Sequence, residues 1–437
     1  MDGITIGLVS VACMLVLIYA GMHVGVALTL LSFIGVWIIR GDAGIASNLL
    51  ALAANDVIAD YVFGVVPLFV LMGLLVSVAD IGKDTFEVAN QIFRRLRGGL
   101  GIATVAANAV FAAITGISIA SAAVFTKVAV PEMLRHGYSQ RFSVGVVAGS
   151  SVLGMLIPPS LLLILYGILT ERSVGDLFIA GIIPGIVLSL AYVAGILLMG
   201  KYWPEFVGGS ARTAEDSAQL GWGEMAGKLL PVVLLVALVL GGIYGGLFTP
   251  TEAGAVGAAG ALALALAKGR LPLKSLWTVL VETGHITAAI CFLIISAALY
   301  SRMLAISGVT EFLRHLIVDS GLGFWGMLAI FVFVVMLLGT ILDSSSIMLI
   351  TIPLVLPALQ AFGTDLIWFG IVNLLAVEIG LLTPPFGIAV FVIKATLGND
   401  SPITLNDIFA GALPFAVIMF LVLLLVIAFP GLATALI

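Results

Sequence analysis

The chain has 437 residues, of which 62% are hydrophobic and 9% are charged, whereas soluble domains carry about 45–50% apolar and about 25% charged residues. This composition excludes an ordinary soluble enzyme, and a total of two cysteines excludes a secreted disulfide scaffold. A net charge of −5 without a basic block gives no reason to expect nucleic-acid binding. Because one transmembrane helix needs about 20 apolar residues, the chain has room for about ten spans. We therefore expect an all-α integral membrane protein.

The predicted elements begin directly after Met1-Asp2-Gly3, a start that lacks the basic region of a removable signal peptide. A charged stretch at 83–97 is typical of an interfacial amphipathic helix that meets anionic lipid. Two apolar stretches, about 99–131 and 322–357, are interrupted by small polar residues, which favours re-entrant helical hairpins. The remaining apolar runs predict ten spans, at about 4–20, 24–39, 61–80, 143–170, 176–199, 229–246, 252–267, 277–300, 366–397 and 408–434.

An internal repeat divides the chain into two halves. The segment GMLIPP at 154–159 returns as GLLTPP at 380–385, displaced by 226 positions. Further landmarks coincide at the same displacement: Gly82 with Gly308, Ser118 with Ser344, and Pro131 with Pro357. Such self-similarity is the mark of a duplicated unit. The sequence therefore predicts a first repeat at 1–200, a polar linker at 201–228 and a second repeat at 229–437.

The basic residues indicate how the two repeats are oriented. If both hairpins return to the side from which they enter, each repeat has five spans, and an odd number inverts the second repeat. With the N-terminus outside, twelve basic residues fall on the cytoplasmic side and three or four on the other, as the positive-inside rule requires. The cytoplasmic set is Lys83, Arg94, Arg95, Arg97, Arg135, Arg141, Lys201, Arg212, Lys228, Lys268, Arg270 and Lys274. The opposite set is Arg40, Arg172 and Arg314, with Arg302 near that face.

Inverted repeats that each contain a hairpin and a broken span are typical of secondary transporters, whose sites lie near the bilayer midplane. Pro158-Pro159 and Pro384-Pro385 must interrupt their spans, since proline lacks an N–H and clashes with the preceding turn. Irregular backbone is tolerated at that depth only where it is buried in protein or lines a cavity. A plain structural kink is the alternative for each diproline. The sequence shows no soluble catalytic domain and no metal spacing among its four histidines, so we do not expect an enzyme.

The hairpin tips, 115–121 and 342–346, offer hydroxyl oxygens that could bind a cation. The alternative is that each hydroxyl only bonds back to a helical carbonyl. Asp343 is the stronger candidate, because an acid deep in the membrane usually marks an ion or proton pathway and hard cations prefer oxygen ligands. Glu378 is a weaker candidate for the site or for a proton step.

These residues resemble the large membrane subunit of TRAP transporters, of the DctM/SiaM type, over essentially the whole chain. The most specific matching segments are 156–160, 177–185, 246–253 and 380–385. The resemblance implies a Na⁺-coupled elevator in a prokaryotic inner membrane that imports organic acids such as C4-dicarboxylates or sialic acid. It also implies a small four-helix membrane subunit, which the start at Met1 suggests is a separate chain, and a periplasmic substrate-binding protein.

The resemblance further implies one Na⁺ between each hairpin tip and the broken span of the same repeat. The predicted Na⁺ ligands are Asn108, Ser118, Gly154, Asp343, Ser344, Gly380 and Thr383. The predicted substrate contacts are Thr115, Ser121, Pro158, Ser160, Ser345 and Pro384. Ile117 stands where the second repeat has Asp343, so the first site is expected to lack a carboxylate.

Three alternatives remain open from the sequence. A stand-alone sodium/dicarboxylate or citrate-type elevator symporter would work without a binding protein. A channel would need a continuous polar stripe along several spans, which the sequence does not show. A membrane-embedded hydrolase would need a nucleophile–base pair or metal ligands, and no His-Glu-x-x-His pattern occurs.

Overall fold

The fold was analysed in a computed structural model that describes residues 2–209, 220–319, 321–398 and 400–437. Its regular elements are α-helices, with one 3₁₀ turn at Tyr61–Gly64 before the fourth helix. The helices before the linker are α1 (Gly3–Tyr19), α2 (Val24–Arg40), α3 (Ala43–Ala59), α4 (Val65–Val78), α5 (Ile81–Phe93), α6 (Gly99–Thr115), α7 (Ser118–Arg135), α8 (Gln140–Ser151), α9 (Leu153–Leu156), α10 (Leu161–Thr170), α11 (Val174–Tyr202) and α12 (Pro204–Val207). Those after it are α13 (Trp222–Tyr244), α14 (Pro250–Ala267), α15 (Leu273–Ser307), α16 (Val309–Asp319), α17 (Gly323–Gly339), α18 (Ser344–Ala361), α19 (Leu366–Leu381), α20 (Ile388–Leu397), α21 (Leu405–Ala428) and α22 (Gly431–Thr434).

Most of the predicted membrane spans correspond to helices that are long enough to cross a bilayer. Seven helices are long and apolar enough to cross a bilayer, and the pair 140–156 and 161–170, bent by 42° at its break, makes an eighth. One of the seven is α18, which the sequence predicts as a hairpin arm. The helices α1 and α2 have 17 residues each, one short of a span of 18, and α19 and α20 are also shorter. The all-helical membrane fold is confirmed, and the count of ten spans stays a prediction.

The segment between the second and third predicted spans folds into α3, a helix that the sequence analysis did not assign. It begins at Asp42, whose Oδ1 accepts a hydrogen bond from the Gly44 backbone N–H at 2.6 Å. It packs against α2 and α15. After α14 the second half leaves only residues 268–272 before α15, so the repeat offered no counterpart from which α3 could be predicted.

Packing between the halves is reciprocal. Helix α2 packs against α15, and α14 packs against α4. In the same way α7, the returning arm of the first hairpin, packs against α20, while α18, the returning arm of the second, packs against α10. Each half therefore completes its packing with the equivalent element of the other half. We call α1, α2, α4 and α13–α15 the outer group, and α6–α10 with α17–α21 the inner group.

Ion pairs link segments that the sequence assigns to the same side of the membrane. Asp80, Asp84 and Glu87, around the start of α5, pair with Arg270, Lys268 and Lys228 of the outer group. Asp80 lies at the end of the predicted span 61–80, and the other five residues lie in segments predicted to be cytoplasmic. On the opposite side, Arg302 Nη2 lies 2.5 Å from Asp56 Oδ2.

The predicted linker at 201–228 lies partly outside the described residues. In its described part, α11 continues to Tyr202, α12 follows, and α13 already begins at Trp222. Arg212, one of the twelve basic residues counted as cytoplasmic, lies outside the described ranges.

Cysteine labelling tests the predicted sidedness. Arg172→Cys and Glu224→Cys, each in a variant without Cys13 and Cys291, place one thiol on an exposed residue of each side. With an impermeant maleimide we expect labelling of position 172 in intact cells, and of position 224 only after permeabilisation. Labelling of position 224 in intact cells that also label position 172 would contradict the predicted topology.

Candidate transport site

The first hairpin tip lies against the break in its own repeat. Helix α6 ends at Thr115, and Gly116 adopts a φ of +63° before α7 begins. The Gly116 carbonyl oxygen accepts a hydrogen bond from the Leu161 N–H at 3.2 Å. A Cβ on Gly116 would lie 2.5 Å from the Pro159 carbonyl oxygen. Only glycine therefore fits both this backbone conformation and this close approach.

The second hairpin tip makes the corresponding contact. The Thr340 carbonyl oxygen accepts a hydrogen bond from the Gly387 N–H at 3.1 Å. Gly387 directly precedes α20. Its equivalent in the first repeat is Leu161, the first residue of α10. Gly339 and Gly380 face each other closely, because a Cβ on Gly380 would lie 2.6 Å from the Gly339 Cα. Each tip thus bonds to the residue at which the broken span resumes.

The two breaks differ in exposure, although both diprolyl bonds are cis. Pro158, Pro159 and Ser160 are buried. In the second repeat, Thr383 is half-buried and Pro384–Phe386 are exposed. The accessible part of the site therefore lies at the second break.

Both tips meet at the side chain of Glu378. The Ser344 hydroxyl donates a hydrogen bond to Glu378 Oε1 at 2.9 Å, and the Ser118 side chain lies close to the same carboxyl group. Ser118 and Ser344 are equivalent in the repeat, and each is the first residue of its hairpin's returning arm. Two predicted Na⁺ ligands, Ser118 and Ser344, thus lie beside Glu378. The sequence indicated Glu378 as a weaker candidate than Asp343.

Asp343 has a different environment from Glu378. It is the N-cap of α18, where its Oδ2 accepts a hydrogen bond from the Ser346 N–H at 3.1 Å and its Oδ1 accepts one from the Ser346 hydroxyl. Its side chain is half-buried. Both carboxylate oxygens therefore serve the cap, and its role as a Na⁺ ligand stays a prediction.

Asn108 lies about two helical turns before the first tip. Its Nδ2 donates to the Ser150 hydroxyl at 2.6 Å, while its buried Oδ1 has no partner among the described residues. Ser150 precedes Gly154 by about one helical turn, and a Cβ on Gly154 would lie 3.1 Å from the Ser118 Cα. The free amide oxygen is an acceptor of the kind that Na⁺ binds.

The remaining predicted residues make local contacts. The hydroxyls of Thr115 and Thr383 bond back to the carbonyls of Phe111 and Ile379, at 3.0 and 2.8 Å. The hydroxyls of these two threonines therefore only bond back to helical carbonyls, which is the alternative to cation or substrate binding.

The other predicted substrate contacts are divided between buried and accessible positions. Ser160 caps α10 by accepting from the Leu163 N–H at 3.3 Å. The Ser121 hydroxyl is buried without a partner in the described structure. Ser345 is half-buried and, with Pro384, is reachable by a substrate in this conformation. Their contact with substrate stays a prediction.

Comparison with known proteins decides the family. Residues 11–432 match the model of the "Tripartite ATP-independent periplasmic transporter, DctM component". The chain belongs to this family. The chain is 34% identical over 390 residues to the "C4-dicarboxylate TRAP transporter large permease protein DctM" of Pseudomonas aeruginosa, with 89% of this chain and 88% of the relative covered. It is 30% identical over 415 residues to the "Sialic acid TRAP transporter large permease protein SiaM" of Vibrio cholerae, with 95% and 94% covered.

A solved structure supports the fold alone. The YdaH transporter of Alcanivorax borkumensis superposes with a TM-score of 0.59 at 15% identity, and 84% of this chain and 86% of that chain are covered. The family and the spans together make this chain a multi-pass protein of a prokaryotic inner membrane. The resemblance to TRAP large subunits is confirmed, and it is favoured over the stand-alone symporter.

Proposed function

We propose that this chain is the large transmembrane subunit of a Na⁺-coupled transporter that imports organic acids of the C4-dicarboxylate or sialic-acid class. A periplasmic protein delivers the acid, and a small four-helix membrane subunit packs beside the outer group. The names of the relatives support the substrate class and the need for partners. The observation that carries the proposal is that each hairpin tip contacts the break in its own repeat. In both repeats a backbone hydrogen bond makes this contact.

Helix ends explain why such a site binds a cation and an organic acid together. The C-terminal carbonyls of α6 and α17 end at the tips and carry partial negative charge, which suits Na⁺. The N-termini of α7 and α18 begin at the same tips and carry partial positive charge, which suits a carboxylate. Broken helices in secondary transporters use their ends in this way. The substrate therefore enters where Ser345 and Pro384 are accessible, beside the Na⁺ ligands at the tips.

Two cavities between the groups support an elevator movement. One, of about 430 Å³, lies between α15 and α18 and is lined by Arg302 and Asp56, on the predicted periplasmic side. The other, of about 380 Å³, lies between α4, α7 and α15 and is lined by Lys127 and Glu282, on the predicted cytoplasmic side. We infer that the inner group carries the tips between these two cavities, while the outer group stays fixed in the membrane. Transport then requires no catalytic step by this chain.

Reconstitution tests the proposal. Proteoliposomes that contain this chain and its small subunit, with the binding protein outside, are expected to accumulate a radiolabelled C4-dicarboxylate or sialic acid under an inward Na⁺ gradient. Replacement of Na⁺ by K⁺, or omission of the binding protein, is expected to reduce uptake to background. Full uptake without the binding protein would favour the stand-alone symporter, and full uptake without Na⁺ would contradict sodium coupling.

A further inference from the structure

Glu378 is unusual among the charged residues of this protein. In the described part of the chain it is the single Asp, Glu, Lys or Arg that is buried, with 1% of its surface exposed. The site that surrounds it includes both hairpin tips, since the Ser344 hydroxyl donates a hydrogen bond to its carboxyl group and the Ser118 side chain lies close to it. A carboxyl group so deeply enclosed is either protonated or has a partner for its charge, because an isolated buried charge costs far more than a paired one.

The described chain does not supply a cationic partner for this charge. Its second oxygen, Oε2, is buried and has no hydrogen-bond partner among the described residues. The ion pairs of the described lysines, arginines and histidines all involve other acids. The N-termini of α7 and α18, which begin at Ser118 and Ser344, offer only the partial positive charge of helix ends. If the carboxyl group is ionised, a bound cation has to supply the remaining compensation.

The repeat shows why one carboxylate would serve two tips. At the displacement of 226, the position of Glu378 corresponds to Val152, so the first break has no acid of its own. Ile117 likewise replaces Asp343 at the first tip. Ser118 nevertheless reaches Glu378 from the first hairpin, as Ser344 does from the second. One acid is therefore shared across the boundary between the repeats.

We propose that Glu378 is the carboxylate ligand of the bound Na⁺ and is shared by the two hairpin tips, whereas Asp343 acts only through the cap of α18. This assignment rests on the proposed Na⁺ coupling. The Ser118 and Ser344 side chains both lie at this carboxyl group, so a cation bound there orders both tips together. Oxygen donors of this kind are those that hard cations prefer.

Isosteric variants separate the two acids. Glu378→Gln and Asp343→Asn each remove one negative charge and keep the side-chain shape. The purified complex with the small subunit, in lipid nanodiscs, is melted at increasing NaCl concentrations with choline chloride keeping the ionic strength constant. A ligand that binds only the folded state stabilises it by RT ln(1 + L/Kd), where L is the free ligand concentration, so the Na⁺ concentration needed for a given rise in melting temperature scales with Kd. The measurement therefore reports Na⁺ binding without any need for transport.

We expect the melting temperature of the wild type to rise with Na⁺. In Glu378→Gln the Na⁺ concentration needed for a given rise in melting temperature should increase about tenfold or more, and in Asp343→Asn less than about threefold, where tenfold corresponds to about 1.4 kcal/mol. Without Na⁺, Glu378→Gln should melt no lower than the wild type, because the substitution removes an uncompensated buried charge. A residue that only holds the tips by hydrogen bonds would give a lower melting temperature instead.

Each of the other outcomes would overturn either the assignment of Glu378 or the proposed Na⁺ coupling. An unchanged Na⁺ requirement for the same rise in melting temperature in Glu378→Gln, or a larger change in Asp343→Asn, would overturn the assignment while leaving Na⁺ coupling intact. A wild type that does not respond to Na⁺ would overturn the coupling and the assignment with it. If Glu378→Gln does not fold, Glu378→Asp decides, since it keeps the charge but withdraws the carboxylate by one methylene. If Glu378→Asp needs no more Na⁺ than the wild type for the same rise in melting temperature, the proposal is overturned.

Discussion

Gly380→Ala is expected to abolish Na⁺-driven uptake and to lower the free energy of unfolding by about 1–3 kcal/mol, the usual cost of overpacking a close-packed interior. The added Cβ would lie 2.6 Å from both the Gly339 Cα and the Met336 carbonyl oxygen. Both are backbone atoms, which cannot rotate away, so α17 and α19 would have to separate. That separation would carry the second tip away from Gly387 and Glu378. Uptake in proteoliposomes and thermal melting of the purified protein measure the two effects.

Gly284→Ala is the matched control for this substitution. Gly284 lies within α15, and a Cβ there would meet no atom within 4 Å. Because alanine favours helix over glycine by up to about 1 kcal/mol, this variant should be as stable as the wild type or slightly more stable, with full uptake. Full uptake by Gly380→Ala would show that the close contact between α17 and α19 is not required for transport.

The breaks and hairpins could be predicted because proline and glycine act on the backbone locally. The predicted interruption at Pro158-Pro159 falls between the end of α9 at Leu156 and the start of α10 at Leu161. The first hairpin, predicted at 99–131, folds as α6 and α7 with its turn at Gly116, and the amphipathic stretch at 83–97 corresponds to α5. Each of these features depends on residues near it in sequence.

The role of Glu378 could not be predicted in the same way. Depth in the membrane and nearby hydroxyls favoured Asp343, which stands at a polar tip, whereas Glu378 stands in an apolar run. What distinguishes Glu378 is contact with Ser118 and Ser344, which lie 260 and 34 positions away and belong to different repeats. Such contacts depend on how the halves dock.

A crosslink between the groups tests the proposed movement and is expected to reduce uptake to background. Ala298 of α15 and Leu356 of α18 line the cavity on the predicted periplasmic side from opposite groups. Cysteines at these two positions, in a variant without Cys13 and Cys291, would be joined by bismaleimides of increasing length. The shortest reagent that reacts completely should stop transport. It fixes the inner group at one depth in the membrane relative to the outer group.

The control crosslink lies within one group. Thr29 of α2 and Ser296 of α15 are in direct contact, with their hydroxyl oxygens 2.8 Å apart, so a disulfide between cysteines at these positions joins two helices of the outer group. If the outer group is fixed, this disulfide should leave uptake unchanged, and reduction should change nothing. Full uptake by a completely crosslinked Ala298→Cys/Leu356→Cys protein would contradict an elevator. Loss of uptake in the Thr29→Cys/Ser296→Cys protein, restored by reduction, would instead place the moving boundary between α2 and α15, inside the group treated as fixed.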